Sequence, residues 1–198
     1  MPVGDKQKLI TEIISTVIQE KPEQDKSFHW FINKHTTDHF GKHYDAIDKI
    51  FKTLKGNIVA NQEKRSMSLQ CDAFFKNNNF IFEFDEHQHF SSARLKSFEF
   101  YPQELKLNYS INDWKKYCSI YKDKADKYRF SKTTVDFNFS GGRTSQRAYL
   151  DCFRDLLPEQ YGLRPTLRIN EFEVVGISNN DKQACEKIER LLKSKINY

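Results

Sequence analysis

The chain is poor in the residues that punctuate or cross-link a fold. Its seven glycines and five prolines among 198 residues form no Pro/Gly/Ser-rich tract, so no linker marks a boundary and one domain is expected. Internal repeats and low-complexity tracts are absent. The four cysteines, Cys71, Cys118, Cys152 and Cys185, are widely separated and form no Cys-x-x-Cys pair. That removes the zinc-ribbon and thioredoxin motifs and leaves reduced, mostly buried thiols as the expectation. No apolar run approaches the ~18 residues that a membrane span requires, and mean hydropathy is −0.76, so no membrane partner is expected. The opening Met-Pro-Val-Gly-Asp-Lys lacks the basic and then apolar run of a secretory leader, and the expected compartment is cytoplasmic. A Walker loop, a Gly-rich dinucleotide fingerprint and a Gly-x-Ser-x-Gly elbow are missing too. Nucleotide hydrolysis and serine esterase chemistry therefore have no support.

What is present is aromatic and mildly basic. Hydrophobic residues make up 38%, with 17 Phe and 9 Tyr, which suffices for one core and argues against disorder. Net charge is +5 and pI about 8.9, which permits a polyanion partner without demanding one. Leu9, Ile10, Ile13, Ile14, Val17 and Ile18 recur at helical spacing and predict a helix over 5–20. A polar break follows at Lys21–Lys26, then an apolar cluster at Phe28, Trp30, Phe31 and Ile32. A second helix is expected from Thr37 or Asp38 to Leu54, with Gly56 as its stop. Residues 67–75 and 80–86 read as strands joined at Lys76-Asn77-Asn78-Asn79, since asparagine tolerates the left-handed backbone of a tight hairpin. Helices are expected at 111–128 and 144–157, short strands at 165–170 and 172–177, and a closing helix at 180–195 capped by Asn179 or Asn180. The order predicts an α/β or α+β fold around a small mixed sheet.

The hairpin carries the chemistry. Alternation puts Phe80, Phe82 and Phe84 on one face of the strand and Ile81, Glu83 and Asp85 on the other. If Asn77-Asn78 forms a two-residue turn, Asp72 lies directly opposite Glu83, with Cβ atoms about 4.5–5.5 Å apart. Two anions at that range repel by roughly 1 kcal/mol in water and by several times more where solvent is excluded. Three acids, Asp72, Glu83 and Asp85, thus call for a cation, and hard oxygen donors of this kind suit Mg²⁺. A solvated hairpin with its acids in water fits the spacing equally well, because a one-residue slip of the turn undoes the pairing. Just beyond the strand, Glu86-His87-Gln88-His89-Phe90 adds groups able to position water and transfer a proton.

These residues resemble the PD-(D/E)XK nuclease superfamily with its restriction-endonuclease-like fold. Asp72, a hairpin, and Glu83-x-Asp85-x-x-Gln88-His89-Phe90 are similar to the very-short-patch-repair-like branch, whose motif reads Glu-x-Asp-Gly-x-Gln-His. The motif spans about residues 69–90, and further similarity reaches Phe98–Pro102, Thr144–Tyr149 and Leu163–Thr166. The resemblance implies a four-stranded mixed sheet between helices, with 1–55 a helical region, 56–178 the nuclease-like core and 179–198 a closing helix. Residues 56–61, with Ile58 and Val59, are the candidate first core strand. It further implies an Mg²⁺-dependent DNA endonuclease, with Mn²⁺ as a substitute metal. Asp72 and Glu83 would bind metal, Asp85 would be a further ligand or orient one, and Gln88 or His89 would handle the attacking water. DNA is the implied partner, with RNA left open and a homodimer suited to double-strand cuts. Asp85 stands where the family has lysine, Cys71 where it often has proline, and Glu86 where glycine is frequent. Those departures motivate the alternative, an inactive module of the same fold that binds nucleic acid or a protein.

Other constellations are open to two readings. Arg143, Gln146 and Arg147, near a helix start after Gly141-Gly142, suit phosphate contact or simple solvation, as do Arg94 and Lys96 after the motif. Lys115, Lys116, Lys122, Lys124, Lys127, Arg129 and Lys132, interleaved with Tyr117, Tyr121, Tyr128 and Phe130, could track a nucleic-acid backbone. They equally suit the wet face of a helix diluted by Asp123 and Asp126. His35, His39 and His43 have i, i+4, i+8 spacing, but a structural zinc would need further ligands that the sequence does not place.

Overall fold

The computed structural model describes residues 4–196. Helix α1 (Asp5–Ile18) buries Ile10, Ile13 and Ile14, the apolar stripe its spacing predicts. The polar break beyond it contains a two-residue strand, β1 (Glu23–Gln24), and the apolar cluster that follows is β2 (Ser27–Ile32). The second expected helix is interrupted: α2 (Thr37–Phe40), a single 3₁₀ turn at Gly41–His43, and α3 (Tyr44–Thr53). Thr36 caps α2 by accepting the His39 N–H at 3.3 Å, which leaves His35 outside the helix.

The expected first core strand at 56–61 is instead helix α4 (Ile58–Glu63). Asn57 Oδ1 accepts the Ala60 N–H at 3.0 Å as an N-cap. Ile58 and Val59, 46% and 62% exposed, have no sheet to face. The outer position of the sheet is taken by β1. The segment 67–75 is also two strands, β3 (Ser68–Gln70) and β4 (Ala73–Phe75), separated by a bend at Cys71-Asp72. β3 pairs with β2, and β4 pairs with β1 and with β5 (Phe80–Asp85). The hairpin register is Ala73↔Phe82, Phe74↔Ile81 and Phe75↔Phe80, the alignment that an Asp72/Glu83 juxtaposition requires. Asn79 closes the reversal at φ 56°, and Glu20 holds it by accepting the Asn77 and Asn78 N–H groups at 2.6 and 3.1 Å.

Helices α5 (Ser92–Ser97), α6 (Ile111–Lys127) and α7 (Gly142–Leu156), strand β6 (Arg164–Asn170) and helix α8 (Lys182–Lys195) complete the chain. The expected strand at 172–177 is a run of turns. Asn170 Oδ1 accepts the Phe172 and Glu173 N–H groups at 3.0 and 3.1 Å, ending β6 in a side-chain-closed turn. Asp181, rather than Asn179 or Asn180, caps α8 by accepting the Ala184 N–H at 2.8 Å.

The main sheet has the order β1-β4-β5-β6, antiparallel except for the parallel β5/β6 pair. It is the small mixed sheet flanked by helices that the element order predicts. Phe80, Phe82 and Phe84 join Leu167 and Ile169 on the face covered by α1 and α8. Ile81 faces the other way, into the cluster built by α3 and α7. A third cluster, around Phe90, Phe98, Tyr109 and Trp114, ties α5 to α6. The division at 55/56 therefore separates nothing: residues before it include two strands, and α1 covers the sheet itself. Among the described residues no helix is long and apolar enough to cross a membrane. The four cysteines are free thiols, and three are buried.

Candidate active site

Alternation along the two central strands sends unlike side chains to the two faces. Toward α1 and α8 they are apolar. Toward α7, the ends of β5 and β6 present Glu83, Asp85, Arg168 and Asn170, all buried. The parallel register sets Glu83 beside Arg168 and Asp85 beside Asn170. Helix α7 answers with polar residues at the same helical spacing, Arg147, Asp151, Arg154 and Asp155.

α7 is held close by glycine. A Cβ on Gly142 would lie 1.9 Å from the Phe137 carbonyl oxygen, so only glycine allows this approach. Gly141 precedes it in the left-handed region at φ 86°, where a side chain would be strained. The turn that α7 abuts is fastened to it by backbone bonds, Gly141 N–H to Phe130 O at 2.7 Å and Arg143 N–H to Lys132 O at 3.1 Å.

Where β4 gives way to the Cys71-Asp72 bend, Asp72 Oδ2 accepts the Phe84 N–H at 2.8 Å, replacing the ladder bond that β4 no longer supplies. Asp72 and Glu83 thus come to one wall of a hollow of about 390 Å³. Gln88, His89, Asp151 and Arg154 line it as well, and Arg129, Arg143 and Arg147 bring further positive charge. Burial pushes the Asp72 carboxyl up to about 6, against the pull of the Phe84 N–H. Burial pushes Glu83 up to about 8, although Arg154 Nε lies 2.8 Å from its Oε1 and favours the anion. In Glu83 desolvation outweighs the nearby cation, so the acid binds its proton more tightly than an exposed glutamate.

Asp85 is drawn elsewhere. Its Oδ1 accepts from Arg168 Nη1 at 2.6 Å and its Oδ2 from Trp114 Nε1 at 2.7 Å. It does not line the hollow, so the expected set of three converging acids is corrected to two. Arg168 also donates to Asp155 at 2.7 Å, and Asp155 accepts from Arg94 at 2.5 Å and from the Tyr101 and Tyr109 hydroxyls at 2.6 and 2.9 Å. Arg94, expected in a solvent-facing loop, is therefore a buried member of this network, and its guanidinium has no access to phosphate. Lys96 is exposed but borders a different hollow.

The other expected residues divide. Gln88 borders the hollow, its side-chain amide donating to Glu86 at 2.7 Å and its backbone carbonyl accepting from Arg147 at 3.0 Å. His89 Nδ1 lies 3.0 Å from Asp151 Oδ2. His89 and the Arg168 guanidinium hold the Asp151 carboxyl well below the usual range despite full burial. An ionised carboxylate only accepts, so Nδ1 carries the proton and Nε2 is the ring nitrogen left for the hollow. Arg143 and Arg147 border the hollow, whereas Gln146 turns away, accepting from Arg143 at 2.5 Å and donating to Asp136 at 3.3 Å. Of the basic run, Arg129 reaches the hollow together with Tyr128. Tyr117 and Tyr121 pack against Phe172 instead.

Asp151 and Arg154 escaped the sequence reading. Their signal is positional: Arg143, Arg147, Asp151 and Arg154 share one face of α7, beside the apolar face that buries Tyr149, Cys152, Phe153 and Leu156. The three spaced histidines do not converge. His35 bonds to the Tyr149 hydroxyl at 2.7 Å, His39 to the Lys34 carbonyl at 3.1 Å, and burial lowers the pKa of all three.

Among the described residues, no group of three or more His, Cys, Asp or Glu side chains is disposed to hold a metal ion. The donor set at the hollow is two hard carboxylates, Asp72 and Glu83. Both carry raised affinities for protons that a divalent cation could displace. That set fits an ion of the Mg²⁺ type, which takes one or two protein carboxylates and keeps its waters. It does not fit a three-acid cage. Comparison of the chain with protein-family models, with curated proteins and with solved structures gives no match.

Proposed function

We propose that this protein is a divalent-metal-dependent endonuclease acting on DNA, with RNA as the alternative polymer, built on a PD-(D/E)XK-like site. The observation that supports the reading best is the pairing register that brings Asp72 beside Glu83 at a hollow rimmed by Arg129, Arg143 and Arg147. Acids and guanidiniums lining one hollow suit a phosphodiester, whose oxygens the arginines would hold in place. Asp72 and Glu83 would hold Mg²⁺ or Mn²⁺, which when bound supplies charge neutralisation at the phosphate and acidifies a water.

The chain's own residues supply the rest. His89, oriented by Asp151, presents Nε2 as a proton acceptor for the attacking water. Arg154 fixes a positive charge against Glu83, in a site whose lysine position holds Asp85. Asp85 serves from behind, clamping Arg168 and through it the α7 backbone at Asp151 O, 3.2 Å away. The free thiols suit a reducing, cytoplasmic setting, and a second copy of the chain would allow both strands to be cut.

The decisive experiment incubates plasmid with the protein in Mg²⁺ or Mn²⁺, beside an Asp72→Ala/Glu83→Ala variant. Nicking by the unmodified protein alone is expected. Two observations favour a second reading, the contact of Arg154 with Glu83 and the withdrawal of Asp85. Retention of DNA or RNA without cleavage under any divalent metal would establish that reading, an inactive nucleic-acid-binding module.

A further inference from the structure

On the far side of the α7 start lies a second hollow, of about 260 Å³. Its walls interleave with those of the arginine cleft. Tyr128 and Arg129 border the cleft, while the next residue, Phe130, borders the second hollow. Arg143 and Arg147 border the cleft, while Gly141, Thr144 and Ser145 border the second hollow. One turn and one helix start therefore serve as a shared partition, and a chain crossing it passes from one hollow to the other.

The contents of this second hollow are distinctive. Phe130 is 54% exposed, although its ring rests on Gly141, within 3.5 Å of where a Cβ would be. More than half of its surface is therefore open to solvent. Phe139 borders the same space, half-buried. Thr144 is 5% exposed, and its hydroxyl oxygen, buried at this wall, has no hydrogen-bond partner. A buried hydroxyl left unpaired is costly, and a polar group reaching it from the hollow would relieve that cost. Asp126 contributes a carboxylate, with Oδ1 accepting the Ser92 N–H at 3.0 Å, and Lys55 and Lys96 stand exposed at the edge. The α7 N–H groups from Gly142 to Ser145 are already bonded to carbonyls, so the helix start offers no anion cradle. A carboxylate in the wall also disfavours a bare phosphate. Aromatic faces, a hydroxyl and a carboxylate instead suit a flat, neutral, hydrogen-bonding ring.

We propose that this hollow receives one unpaired nucleobase of the strand whose backbone lies across the arginine cleft, stacked on Phe130 and hydrogen-bonded by Thr144 Oγ1. Lys55 and Lys96 meet the phosphates that flank that base. The substrate of the proposed nuclease is then a strand with at least one base out of the duplex, either single-stranded or extruded. The inference rests on the nucleic-acid reading of the cleft.

The test uses a short oligothymidylate carrying one 2-aminopurine, moved position by position, with the full chain in EDTA so that nothing is cut. Anisotropy of an end label reports binding, and 2-aminopurine fluorescence reports stacking. Binding should quench the probe at one position. Phe130→Ala, at an exposed site that leaves the core intact, should abolish the quench and weaken binding about tenfold. Thr144→Val, nearly isosteric, should weaken it a few-fold while keeping the quench, and Arg147→Ala should weaken binding wherever the probe sits. Binding that needs Arg147 but ignores Phe130 and Thr144, with no quench at any position, would overturn the base pocket and leave the cleft reading standing. Absence of binding to any strand by the unmodified protein would overturn both.

Discussion

At the scale of single residues, Glu83 concentrates the chemistry. Its strand mate Asp85 differs by two positions and lies on the same face, yet one borders the hollow and the other is locked between Arg168 and Trp114. Asp72 and Glu83 bind protons more tightly folded than unfolded, with values raised to about 6 and about 8. Their contribution to stability is therefore fully present below the ordinary carboxyl values near pH 4. It is lost as pH rises through about 6 and then about 8. In EDTA the melting temperature should fall across this range. Glu83→Gln, which mimics the protonated acid, should flatten the upper part of the fall while eliminating cleavage. Melts of both proteins at several pH values check this, and an unchanged slope would show that Glu83 titrates normally.

At the scale of elements, α7 is the piece that assembles the site, since it carries Arg143, Arg147, Asp151 and Arg154 on one face. Its seat depends on backbone touching backbone at Gly142. Gly142→Ala would push the Phe137 carbonyl or the helix aside, with an expected loss of about 3 kcal/mol or more for overpacking a closed contact. Urea unfolding gives the magnitude, and the displaced arginines should lower nucleic-acid affinity in step. The hairpin is legible in the sequence because aromatic alternation and an asparagine turn specify strands and reversal locally, whereas its register is fixed by the pairing seen in the structure. The bend at Cys71-Asp72 is not legible there, since it arises where β3 leaves for β2 and β4 for β1. The expected strands at 56–61 and 172–177 failed for a similar reason: Asn57 and Asn170 close local side-chain bonds that end any ladder.

At the scale of the whole molecule, one sheet divides an apolar layer from a polar one. The α1 and α8 side stabilises, and the α7 side carries charges whose burial is offset by mutual pairing of Asp85, Asp151 and Asp155 with Arg94 and Arg168. The cleft cations stand apart from that network. If Arg129, Arg143 and Arg147 each meet one phosphate, those three contacts should contribute about −2 to −3 to the slope of the logarithm of affinity against the logarithm of salt, with Lys55 and Lys96 steepening it further. Each Arg→Ala change should reduce that slope by about 1. Anisotropy titrations over a range of NaCl concentrations measure it, and a slope near zero would remove the cleft from the polyanion path.

Sequence alone determined what depends on near neighbours along the chain: the helical stripe of α1, the closing helix, and the hairpin, with the register that sets Asp72 beside Glu83 as one of two alignments it allowed. Tertiary structure decided what depends on partners distant in sequence. It chose which carboxylate faces a hollow and which is neutralised from β6, withdrew Arg94 into the interior, and brought Asp151 to His89. Periodicity reports which side of an element is buried, but the charge that will meet a buried acid comes from another element.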